Sequence, residues 1–178
     1  MATKLSWFWK RGKMKNSIAK EIAYASVLSA VLIAGKFALS FLPNVEMVSA
    51  IIILATIYFG IKISLPAVLV FCLIDTVIYG FYPIAFCQYL FHFPLLCVIT
   101  YFVSKNSKEL LPFIVLSFAF SILFWVETPI LNVIFKFSLF LPTLISGIPF
   151  FVAQTISSIA FLIALYKPFQ VIGKWSNN

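Results

Sequence analysis

Charge is what this sequence has least of. Only 10% of its 178 residues are charged, five of them acidic, whereas 63% are hydrophobic. A water-soluble domain carries roughly 25% charged and 45–50% apolar residues. Too few polar side chains are present to cover a globule in water, which excludes a soluble fold. The same apolar excess excludes disorder. Histidine is nearly missing too: His92 stands alone, with no second histidine for metal-ligand spacing and no nucleophile beside it, which argues against catalysis. The three cysteines, Cys72, Cys87 and Cys97, lie in apolar runs without CxxC spacing. They read as small hydrophobes rather than as disulfides or metal ligands. No Walker, GxGxxG, HExxH or GxSxG pattern occurs, so no motif supports ATP hydrolysis or an enzyme, and no cofactor is implied.

What the chain does have is long apolar runs. A helix needs about 20 residues to cross the hydrocarbon core, so this length holds one membrane domain of about six or seven crossings. Pro, Gly and charge punctuate the runs into six predicted helices. The first covers about 18–41 and ends at Pro43-Asn44; the second is short, 47–60. The third spans 63–80, and the fourth 83–104 with a kink expected at Pro94. The fifth spans 109–128, where Pro129 is expected to break the helix and leave 129–137 as a loop or re-entrant stretch. The sixth spans 138–166, with Pro142 and Pro149 in its first half and its end at Lys167-Pro168. The domain reading is a basic segment 1–17, a membrane domain 18–166 and a tail 167–178.

The basic residues set an expected orientation. Net charge is +8, and Lys4, Lys10, Arg11, Lys13, Lys15 and Lys20 precede or open the first run. A basic cluster before an apolar helix is a cytoplasmic anchor rather than a nucleic-acid site. The run after it is too long for a cleaved signal peptide; Met14 is an alternative start. With both termini inside, eleven of the thirteen basic residues are cytoplasmic, and only Lys36 and Lys136 fall in the outer half. The expected location is the cell membrane, with six spans and both termini cytoplasmic.

Polar residues at membrane depth are costly, about 2.5–3.5 kcal/mol per central charge on insertion scales. Most of those present gather toward the outer side of this topology: Asn44, Glu46, Tyr79, Tyr82, Gln88, Tyr89, His92, Trp125, Glu127, Asn132 and Lys136, with Gln154 midway along the sixth segment. Convergent polar groups among aromatics describe a ligand pocket; the alternative is an interfacial aromatic belt with Glu127 paired to Lys136. Asp75 lies within the third segment, as a proton relay or as the partner of a neighbouring helix. In the first segment, Ala19 and Ala23, then Ser26, Ala30 and Ala34, recur at helical spacing, a face on which another helix can pack closely.

Together the basic N-terminus, the Ala-rich first helix, the stretch GKFALSFLPNVEMVSAIIILATIYFG and the YGFYP turn resemble the substrate-binding S components of energy-coupling factor (ECF) transporters, over about residues 15–170. The resemblance implies a six-helix bundle that binds a vitamin in an outward-facing pocket. It implies docking of the first helix on a scaffold membrane subunit driven by two cytoplasmic ATPases, and release of the ligand inside by toppling. By position, Ala23, Ser26, Ala30 and Ala34 match the docking face. Asn44, Glu46, Gln88, Tyr89, His92, Trp125, Asn132 and Lys136 fall where ligand contacts would lie. The LPNV-type loop points to cobalamin or a related corrinoid, with pantothenate second. The competing class is a stand-alone facilitative or proton-coupled carrier using Asp75 or Glu127 as its relay.

Overall fold

The computed structural model describes residues 2–42 and 45–176, with side chains described over 18–42 and 45–173. Among these the chain is all helix: α1 Ala2–Ala38, α2 Val48–Phe59, α3 Ile61–Tyr79, α4 Pro83–Asn106, α5 Leu110–Lys136, α6 Phe140–Ser146 and α7 Ile148–Ser176. Five stretches are long and apolar enough to cross a membrane: Ile18–Ala38 of α1, α3, α4, α5 and Ile148–Gly173 of α7. The protein is a multi-pass membrane bundle.

The short second helix is its centre. All ten residues from Val48 to Ile57 are buried, and α1, α3, α4, α5 and α7 all pack around it. A helix apolar on every side is one enclosed by protein. Enclosed, it need not match the bilayer: its 12 residues span about 18 Å. A single residue, Gly60, joins it to α3 with φ 79°, a conformation that a Cβ would strain.

Successive helices alternate in direction. Lys36 at the end of α1 meets Asp75 near the end of α3, and Glu46 before α2 meets Gln154 early in α7. At the other end Tyr58 of α2 packs on Tyr166 of α7, whose hydroxyl donates to the Lys108 carbonyl. The 39–47 loop, the α3–α4 turn, the end of α5 and the start of α7 therefore share one end, called here the loop end.

α1 starts at Ala2 rather than at about 18 and ends at Ala38 rather than 41, and three further expected boundaries move. Pro129 does not end α5, which runs on to Lys136. Proline removes one N–H and crowds the preceding turn, and membrane helices tolerate it where side chains take up the freed carbonyls. The carbonyl left without its helical N–H is that of Trp125; beside it the Phe124 carbonyl accepts from Gln88 Nε2 at 2.9 Å and Thr128 Oγ1 at 3.0 Å, and the Gln88 bond ties this turn to α4. The expected sixth segment is two helices, broken at Gly147. A Cβ there would lie 3.0 Å from Trp125 Nε1, so a side chain at this position would press on the Trp125 ring of α5. α7 also passes through Pro168 to Ser176 rather than stopping at Lys167.

Candidate ligand-binding site

A chamber of about 260 Å³ opens at the loop end, walled by Lys36, the 39–48 segment, α3, α4, α5 and Gln154 of α7. Its apolar wall is aromatic: Phe71, Tyr79, Tyr89, Phe93 and Phe124. Two charged side chains stand in it, Lys36 and Glu46. Lys36 Nζ lies 2.6 Å from Asp75 Oδ1, donates to Tyr89 Oη at 3.3 Å, and sits 4.3 Å and 4.9 Å from the centroids of Tyr89 and Tyr79. A cation over ring faces is held by their quadrupoles as well as by its counterion. Opposite, the Glu46 carboxylate accepts from Gln154 Nε2 at 2.7 Å and Ser49 Oγ at 3.1 Å. The Glu46 N–H donates to Ser157 Oγ at 3.0 Å, which fixes the backbone carrying that carboxylate. α2 begins two residues later.

A second hollow, about 340 Å³, adjoins the first and shares Phe124 and Gln154 with it; Gln88, Trp125, Thr128 and Thr143 also line it. Gln88 is braced on Phe124 and Thr128, and Trp125 donates to the Leu144 carbonyl at 3.0 Å, tying α6 to α5. His92 lies behind these walls. Its Nδ1 is 3.0 Å from Glu127 Oε2, and Phe93, Phe120 and Phe124 pack around its ring. Glu127 Oε1 has no partner among the described residues.

Of the residues expected at the site, Glu46 and Tyr89 line the chamber, and Gln88 and Trp125 line the adjoining hollow. His92 supports the wall from behind. Asn132 donates to the Thr128 carbonyl one turn below it, and Lys136 is exposed, 4.9 Å from the Tyr82 ring centroid; neither lines the chamber. Asn44 lies outside the described residues. The alternative pairing of Glu127 with Lys136 does not form: nine residues along a continuous helix are about two and a half turns, which puts them on opposite faces.

Sequence reasoning left Lys36, Tyr79, Phe124 and Gln154 out of the proposed contacts. One signal was available. Lys36 and Asp75 are opposite charges in apolar segments expected to run in the same direction, and charges at depth need partners. On α1, Ala23, Ser26, Ala30 and Ala34 are all exposed, while Leu28, Ser29 and Leu32 face inward. Ser29 donates to the Ala67 carbonyl of α3. Among the described residues no group of three or more His, Cys, Asp or Glu gathers to hold a metal. Comparison with protein-family models, with curated proteins and with solved structures finds no match to this chain.

Proposed function

We propose that this protein is the substrate-capturing membrane subunit of an ECF-type importer, with the loop-end chamber as its binding site and its termini in the cytoplasm. The observation that carries the reading is the chamber itself: anchored charged groups facing each other across an aromatic wall, with an opening at one end of the bundle. Such a site binds and orients a solute rather than transforming it. The exposed small-residue face of α1 supports the second half of the reading, a surface on which a scaffold helix packs closely in lipid. Energy then comes from partner ATPases, which act through that scaffold.

The chamber's volume bears on the ligand. About 260 Å³ is at the lower edge of the roughly 300–1,000 Å³ that holds drug-sized ligands. That favours a compact vitamin-like molecule over a corrinoid. The deciding experiment is mass spectrometry of the small molecule that co-purifies with the protein, joined to uptake of that molecule in cells with and without the ATPase partners. Uptake that persists without them refutes the ECF reading.

One observation favours a second reading, a stand-alone proton-coupled carrier. The buried His92–Glu127 pair, with one carboxylate oxygen unpartnered, is a group able to take and release a proton inside a membrane. Under that reading Glu127→Gln abolishes the pH-gradient dependence of an uptake that needs no ATPase.

A further inference from the structure

We infer that the chamber selects a cation-bearing, ring-containing ligand and rejects carboxylates of the same size. This rests on the chamber's being the binding site and goes further by naming the ligand's charge. The titratable groups facing it are few. α1 brings Lys36, the loop before α2 brings Glu46, α3 brings Tyr79, and α4 brings Tyr89; α5 and α7 contribute the uncharged Phe124 and Gln154, and Asp75 of α3 stands outside the lining as the partner of Lys36. His92 and Glu127 stand behind the Phe93 and Phe124 rings, paired through His92 Nδ1 and Glu127 Oε2, and neither lines the chamber.

The lining carries one carboxylate and one ammonium, and a second carboxylate, Asp75, sits against that ammonium from outside the lining. Lys36 is already neutralised by Asp75 at 2.6 Å, so it offers an incoming anion no free charge. Glu46 is different. Its two oxygens accept one neutral donor each, Ser49 and Gln154, and no cation lies within ion-pair distance of it among the described residues. A carboxylate has about four acceptor positions, so Glu46 keeps capacity for a ligand donor. The aromatic walls act in the same sense, because ring faces attract cations and stack on flat rings. A ligand carboxylate placed here faces Glu46 and those negative ring faces, and like charges at such short range repel.

The test uses probes of one size and three charges on the purified full chain in detergent: benzyltrimethylammonium, benzyl alcohol and phenylacetate. Saturation-transfer NMR detects weak binding, and titration ranks the three. The expected result is that the cation binds about tenfold or more tightly than either of the others, the size of one charge-assisted contact. Glu46→Gln, of equal size, removes that gap, and Ser40→Trp at the chamber wall abolishes binding of all three. Phenylacetate binding as well as the cation, or a gap that survives Glu46→Gln, overturns the charge assignment while leaving the chamber as the site. Failure of every probe to bind, or binding indifferent to Ser40→Trp, overturns both.

Discussion

Replacing Asp75 by Asn takes the counterion from Lys36 and leaves the ammonium in the bundle. Removing one partner of a buried pair costs about 3–5 kcal/mol. Here the side chain of Lys36 keeps 25% exposure through the chamber and retains the Tyr79 and Tyr89 rings, contacts worth about 0.5–2 kcal/mol. The expected loss for Asp75→Asn is therefore about 2 kcal/mol, below the usual range. Lys36→Met is the harsher change. It strands a carboxylate that is 9% exposed and has no ring faces to help it, so the full range of about 3–5 kcal/mol applies. The double variant leaves no uncompensated charge and costs less than the two singles together, with a coupling of about 1.5–3 kcal/mol. Reversible unfolding of the four proteins in one detergent measures all the terms. Single losses that add within about 0.5 kcal/mol would refute the reasoning, since the two charges would then be solvated independently. So would an Asp75→Asn variant less stable than Lys36→Met.

Three further outcomes are expected. Ala30→Trp, on the exposed face of α1, abolishes uptake and co-purification of membrane partners while leaving ligand affinity of the isolated protein unchanged; retained uptake would sink the docking role. Gly173→Ala places a Cβ 2.8 Å from Tyr58 Cβ, against backbone-proximal atoms that cannot swing away, whereas Gly35→Ala meets the movable end of Met47 at 2.8 Å. Overpacking costs about 1–3 kcal/mol, so unfolding measurements find Gly173→Ala clearly destabilised and Gly35→Ala close to wild type; equal losses would contradict the contact analysis. Ser40→Cys, at the chamber wall, reacts in intact cells with a membrane-impermeant thiol reagent in a Cys87→Ser background, where the remaining Cys72 and Cys97 are buried; labelling that needs opened cells would reverse the assigned orientation.

The helices were legible because apolar length is a direct physical demand of lipid, and the site's location at one end followed from alternation of direction. What sequence could not fix was rotation about each helix axis. That rotation decides whether Asn132 and Lys136 reach the chamber, and it is set by packing between helices rather than by apolar content: Ser29 against Ala67, Gly147 against Trp125, Gly173 against Tyr58. The misplaced breaks at Pro129 and Pro168 have a different cause. Proline is read as a stop because its free carbonyl and lost N–H weaken a helix locally, but whether the helix stops depends on groups remote in sequence. Gln88, 36 residues before Phe124, ties the turn ahead of Pro129 to α4, and no local pattern around Pro129 announces it. The Lys36–Asp75 contact shows the converse, a long-range feature that was within reach. Each charge alone is unaffordable in an apolar segment, both segments run the same way, and both charges lie near the same end. Mutual neutralisation was thus the least costly arrangement available, and it carries a consequence for function. Once Lys36 is assigned to Asp75, Glu46 is the unneutralised charge in the chamber wall. The charge of the ligand then follows from which ions the fold has already paired.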